Sequence, residues 1–326
     1  MEVISNIDYK KLESLIDSFI VDNNIDKNTF ATAEKLSAKI LKKKFLPVET
    51  DEWSREFSLN ETIDIVYKFL DSIDHDMAIQ FSTLLHRIDE DGTPTVRFVD
   101  GKYNPDAESF FDGINKVQFV FFNDPLDATT LLHEMIHMMN NCKITTNEED
   151  YDKTSTYNVT KTKKFLSESA SISFELLLND YLLENGYIND NDYNLVYNER
   201  LDSTKTDAEE VIVINEVIKL YLKDGHLDFI NLTNLLNSRD KGSIIGDALR
   251  YEFRNYEYLS DILEEEEITI MESEKYVLGL VIADEILKEK DPLKELLWLH
   301  DELGNANSNF NYVVDDLNRD LSVKIR

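Results

Sequence analysis

The chain has 326 residues, 42% of them hydrophobic, and carries 34 basic against 65 acidic side chains for a formal net charge of −31; its pI is near 4.5. That length and apolar content support a packed core, while the charge argues against nucleic acid and anionic membrane surfaces as partners. A role in solubility and a preference for basic or neutral peptides are both compatible with it.

With only 9 glycines and 5 prolines, the composition predicts a helix-dominated fold with few tight turns. The single cysteine, Cys142, permits no intrachain disulfide and fits a reducing compartment. It stands five residues after His137, where a ligand role is conceivable and a bystander role is the ordinary reading. The first residues show no basic segment followed by an apolar one, and no run of about eighteen apolar residues occurs. A soluble, cytoplasmic protein without a membrane partner is therefore expected, secretion by a leaderless route staying open; the expected state is a monomer.

Residues 1–86 read as an N-terminal helical layer: Tyr9–Val21, Thr29–Phe45, and a longer helix from Asn60 to His86 with Ile63, Val66, Phe69, Leu70, Ile73 and Met77 spaced for a buried face. His75 and His86 read as surface or capping residues. Residues 87–326 read as the catalytic region, the whole being expected as one compact unit. Turn pairs at Asp91-Gly92, Asp100-Gly101 and Asn104-Pro105 separate two short runs of strand composition, Thr95–Val99 and Lys116–Phe122. They predict a small antiparallel sheet. If the last strand has an open edge, the main chain of Gln118, Phe119, Val120 and Phe121 is suited to hold an extended peptide; the alternative is a simple core strand.

The next stretch, Asp124–Cys142, carries the chemistry. Asp124 is placed to cap a helix, Pro125 to open it, and Asp127 to sit at its positive end. Leu126, Leu131, Leu132, Met135, Ile136, Met138 and Met139 make that helix apolar nearly all round, as in a protein interior. Within it, His133-Glu134-Met135-Ile136-His137 matches H-E-x-x-H. Two imidazoles four residues apart share a helix face and can bind one zinc ion, while Glu134 projects to one side and is suited to act as general base on the metal's water. That is the chemistry of peptide-bond hydrolysis.

Asn141–Thr162 is polar and reads as a surface connection. Residues 163–185 form a second apolar helix ending before Gly186. A catalytic zinc needs a third protein ligand. Glu168 is the candidate, because a carboxylate among serines and large apolar residues is costly unless paired or metal-bound. Ser167, Ser169, Ala170 and Ser171 are small enough to let the two helices approach closely. Glu175, seven positions on, reads either as a carboxylate orienting a ligand histidine or as a surface residue.

Phe165-Leu-Ser-Glu168-Ser-Ala-Ser171-Ile-Ser-Phe-Glu175 resembles the third-ligand helix of the thimet oligopeptidase and oligoendopeptidase F family. Phe119–Asn123 followed by Thr129–His137 is similar to that family's strand and zinc helix, and Tyr276–Ala283 to its tyrosine-bearing C-terminal helix. The resemblance covers about residues 119–180 and 271–290. It implies a zincin-like (gluzincin) metallopeptidase with one zinc held by His133, His137 and Glu168, Glu134 as base, and Tyr276 donating a hydrogen bond to the oxyanion. The chain departs from the family in having Ile136 where glycine is usual, in Met271-Glu-Ser-Glu274-Lys where His and Tyr precede the tyrosine, and in its shorter length. A second likeness is to the clostridial neurotoxin light chains, whose zinc helix also has Ile before the second histidine; their downstream segments have no equivalent here.

Residues 190–326 read as further helices, broken near Asp202, Asp224-Gly225 and Arg239–Gly246, with a solvated charge run at Glu264–Glu267. His226 reads as a helix cap. Tyr251, Tyr256 and Tyr258 cluster with Arg250 and Arg254 as a possible second source of oxyanion contacts. The tail predicts helices at Pro292–Trp298 and Asn311–Arg326, with His300 between them. The sequence thus predicts a mainly α fold with a small sheet at the cleft, acting on peptide or protein substrates. An inactive peptide-capturing relative and a selective effector or toxin-type protease remain alternatives.

Overall fold

The computed structural model describes residues 9–23, 27–89, 92–105, 107–112, 116–145, 161–238 and 269–305. It is mainly helical with one small three-stranded sheet. None of the helices described is long and apolar enough to cross a membrane.

The chain divides into two compact units, and the division does not fall at residue 86. The first comprises Met1–Lys44, Leu201–Leu278 and Lys324–Arg326. It contains α1 (Tyr9–Asn23), α2 (Lys27–Leu41), most of α7 (Asp190–Asp224) and α8 (Phe229–Ser238). Polar ties link the first two of these segments: Tyr221 donates to Asp17 at 3.0 Å, the Leu227 N–H donates to Glu13 at 2.6 Å, and Lys219 bridges Glu34 and Glu216. The helix α7 is one continuous element, so the expected break near Asp202 is absent; no glycine or proline interrupts it before Gly225, whose φ of 76° ends it. The next helix is capped by Asp228 and Asn231, each accepting the other's backbone N–H at 2.8 Å. His226 is therefore not the cap; it lies exposed beside Asp228.

The second unit, Phe45–Arg200 and Gly279–Val323, holds the sheet and the H-E-x-x-H helix. The predicted helix 60–86 is two helices, α3 (Leu59–Ile73) and α4 (His75–Leu85). Asp74 separates them: its extended backbone donates to the Leu70 carbonyl and its side chain accepts the Met77 N–H, closing one helix and opening the next. His75 is exposed beside Asp71, and His86 is the C-cap residue of α4.

The strands are β1 (Val96–Asp100), β2 (Phe110–Phe111) and β3 (Val117–Phe121), in the order β1-β3-β2. β1 and β3 run parallel and β2 is antiparallel to β3, so the sheet is mixed rather than antiparallel. The connection from residue 101 to 116 is long enough to return the chain and lay its own short strand on the far side. This puts β3 in the middle. Val117 and Gln118 pair with β2, and the Ser109 hydroxyl accepts the Val120 N–H at 2.8 Å. The open edge expected at Gln118–Phe121 is thus already engaged, and the side chains of Phe119 and Val120 are core.

Behind the sheet, α5 (Leu126–Thr145) packs against α6 (Lys161–Glu184), with α3, α4 and α10 (Pro292–Leu303) around them. Leu131, Leu132, Met135, Ile136, Met138 and Met139 of α5 and Ile172, Phe174 and Leu178 of α6 are fully buried. The second helix ends at Gly186, φ 68°, as its sequence predicts. His300 falls inside α10, not between two helices, and is buried with its ring edge-on to Phe174 at 5.9 Å. The helix expected at Asn311–Arg326, the Tyr251/Tyr256/Tyr258 cluster and the Glu264–Glu267 run lie outside the described residues.

Candidate metal centre

The strand β3 delivers the chain into α5 through one tight corner. Asn123 takes a positive φ of 64°, a conformation asparagine tolerates better than most residues. Asp124 Oδ1 then accepts the N–H groups of Leu126 and Asp127, and Asp127 reaches back to those of Phe122, Asn123 and Asp124. Two carboxylates thus fix the helix start reciprocally. Burial pushes the Asp127 carboxyl up to about 7, against the backbone donors that favour its charged form.

Two turns further on, the helix presents His133 and His137 on the side that faces α6. Their Nε2 atoms lie 3.0 Å apart. From α6, Glu168 brings its carboxylate to 3.4 Å from each of them, Oε2 to His133 and Oε1 to His137. Two imidazole nitrogens from one helix and a carboxylate from the other thus converge, and these three residues are the group among the described residues able to hold a metal ion. Tetrahedral coordination at about 2.05 Å places ligand atoms about 3.3 Å apart. The imidazole–imidazole distance and the distance from each imidazole to one of the two carboxylate oxygens bracket that value, so the donor set suits a zinc-sized cation.

The surroundings hold the donors in place. His133 Nδ1 is hydrogen-bonded to Glu175 Oε1, which leaves Nε2 as the atom offered to the cation. The Glu175 carboxylate is gripped in turn by Arg200, Nε to Oε2 at 2.7 Å and Nη2 to Oε1 at 2.6 Å. His137 Nδ1 lies 2.7 Å from the Ser167 hydroxyl, and its ring stacks on Phe111 of β2 at 6.4 Å and 13°. Gly279, on α9 (Thr269–Ile286), lies flat against the third ligand: a Cβ there would come within 3.2 Å of Glu168 Cβ and 3.3 Å of its carbonyl carbon.

The electrostatics follow from this packing. Burial works against charge on His133, but Glu175 and Glu168 outweigh it and raise the imidazole to about 10. Burial works against charge on Glu168 too, and the imidazoles of His137 and His133 hold its carboxyl well below the ordinary carboxylate range. Glu175 is likewise lowered despite burial, by Arg200 and His133. A cluster that stabilises a proton between imidazoles and carboxylates can accept a divalent cation in its place.

No protein-family profile, curated protein or solved structure matches this chain. The site therefore stands on its own geometry. His133, His137, Glu168 and Glu175 come together as the sequence suggests, and Glu134 is half-buried on the same helix. Tyr276 stands on α9 with Lys275 over its ring at 4.8 Å, in the part of that helix assigned to the first unit. Ser167 and Phe111 were not legible as supports of His137, nor Arg200 as the partner of Glu175. The only sequence signal for Arg200 was the presence of a buried carboxylate that needed a counter-charge.

Proposed function

We propose that the protein is a zinc-dependent metallopeptidase that hydrolyses bonds in oligopeptides or extended protein segments. The observation that carries this reading is the meeting of the H-E-x-x-H histidines, 3.0 Å apart, with Glu168, whose carboxylate is 3.4 Å from each. His133, His137 and Glu168 would hold the ion, leaving a position for water and substrate. When bound, zinc supplies Lewis-acid polarisation of a carbonyl and lowers the pKa of water to about 7.

The protein's own part is proton transfer and positioning. Glu134 follows the first histidine directly and is half-buried rather than committed to the core. It is suited to take a proton from the attacking water and return it to the departing amine. Glu175 keeps the His133 ring in one tautomer and orientation while this happens. Tyr276 is the residue that resemblance to the oligopeptidases assigns to the oxyanion. Peptide would approach from the side of β2, where Phe111 covers His137 and Phe110 is 48% exposed.

The test is Glu134→Gln on the full chain, with zinc content and cleavage of a mixed peptide library measured together. The reading requires retained zinc and turnover reduced at least about 100-fold. Undiminished turnover in that variant would refute it. Zinc binding with peptide capture but no cleavage by the wild type would replace it with a binding role.

A further inference from the structure

Arg200 lies on α7, outside both metal-binding helices and 32 positions after the third ligand, yet it ends on the same cluster. Its guanidinium meets Glu175 side-on through two hydrogen bonds of 2.7 and 2.6 Å. Glu175 is 5% exposed and His133 is also 5% exposed, so the contacts are shielded from water. The Oε1 atom accepts from both Arg200 Nη2 and His133 Nδ1, which joins the arginine to the ligand histidine through one oxygen.

We propose that Arg200 is a positioning residue for the metal centre, acting through Glu175 on His133. A carboxylate on a single-bonded stem can rotate, and a rotated Glu175 would release the imidazole ring from its orientation. The planar two-point grip of a guanidinium removes that freedom; an ammonium at the same place offers charge without the fork. Charge balance points the same way. A divalent cation with Glu168, Glu134 and Glu175 around it carries a net −1, and the Arg200 charge brings the sum to zero. Without it, the excess negative charge of Glu175 would fall on the His133 Nδ1–H bond and make the imidazole a stronger donor and the metal a weaker Lewis acid. Arg200 therefore sets both where His133 points and how electrophilic its ion is.

The proposal rests on the metal reading of the site but not on peptidase activity, so it is tested by binding. Zinc affinity is measured by chelator competition on the full chain for wild type, Arg200→Lys, Arg200→Met, Glu175→Gln and the Glu175→Gln/Arg200→Met double variant. Absorption spectra of the Co2+-substituted forms report the ligand geometry. Arg200→Met is expected to lose about 10- to 100-fold in zinc affinity and to shift the Co2+ bands, with Arg200→Lys in between. If Arg200 acts through Glu175, the double variant is no weaker than Glu175→Gln alone. The double variant removes both charges of the Arg200–Glu175 pair together, so it keeps the comparison valid should Arg200→Met fold poorly. Wild-type affinity and spectrum in Arg200→Met, or losses that multiply in the double variant, would overturn the proposal. Tight zinc binding without hydrolysis by the wild type would sink the peptidase reading and leave Arg200 in place. Failure of the wild type to bind zinc would sink both.

Discussion

Gly279→Ala adds one methyl group where α9 lies against the third ligand. That Cβ would stand 2.9 Å from Ile172 Cδ1, 3.2 Å from Glu168 Cβ and 3.3 Å from the Glu168 carbonyl carbon. The isoleucine tip can swing aside; the Glu168 stem and main chain belong to a packed helix and must be pushed by a few tenths of an ångström. Alanine gains about 1 kcal/mol over glycine in helix propensity, and overpacking costs about 1–3 kcal/mol. The net effect on stability is thus a loss of about 0–2 kcal/mol. The metal is less forgiving, because ligand distances are held to about 0.2 Å. A comparable displacement of Glu168 is expected to weaken zinc binding by about tenfold or more, as loss of a supporting residue does. Chelator competition gives the affinity and urea unfolding of the metal-free protein gives the stability. Unchanged zinc affinity in a variant of near-normal stability would show that the glycine does not set the position of Glu168.

Other consequences are more direct. Glu168→Ala removes a ligand, not a support, and should lower zinc affinity by more than the roughly 100-fold upper range of supporting residues; elemental analysis showing a full zinc complement would exclude Glu168 from the site. Asp74→Ala removes the side chain that accepts the Met77 N–H at the start of α4, at a cost of about 1 kcal/mol, and an unfolding midpoint equal to that of wild type would refute the capping role. His75 is raised above its ordinary value by its hydrogen bond and charge interaction with Asp71, 2.6 Å away. The pairing therefore contributes stability that is present below about pH 6.5 and lost as pH rises through the raised value. An NMR titration should show His75 moving back towards 6.5 in Asp71→Asn, and the idea fails if the two titrations coincide.

Much of the site was legible because it is written in local spacing. Histidines four apart on a helix share a face whatever the helix packs against, and Asp124 with Asp127 fixes the start of that helix within four residues. Glu168 was legible for a different reason: an apolar helix does not carry a carboxylate to its buried face without a partner. The sheet was read less well. Strand composition identified β1 and β3, but hydrophobic runs do not encode which neighbour a strand takes, and the intervening Phe110–Phe111 is too short to signal a strand. The break at Asp74 was missed because the apolar periodicity continues through it while the cap lies in one side chain.

Taken alone, the sequence determined the two site helices, the start of the first and the end of the second, and the residue types able to bind a cation, since these depend on chain geometry over a few residues and on the cost of burying charge. Only the tertiary structure decided that the Glu168 carboxylate comes within 3.4 Å of both imidazoles, that β3 is enclosed, and that Arg200 grips Glu175. The side-chain contacts join residues 25 to 35 positions apart and the parallel strand pair residues 21 apart, and such contacts are set by how elements pack, which no local pattern records.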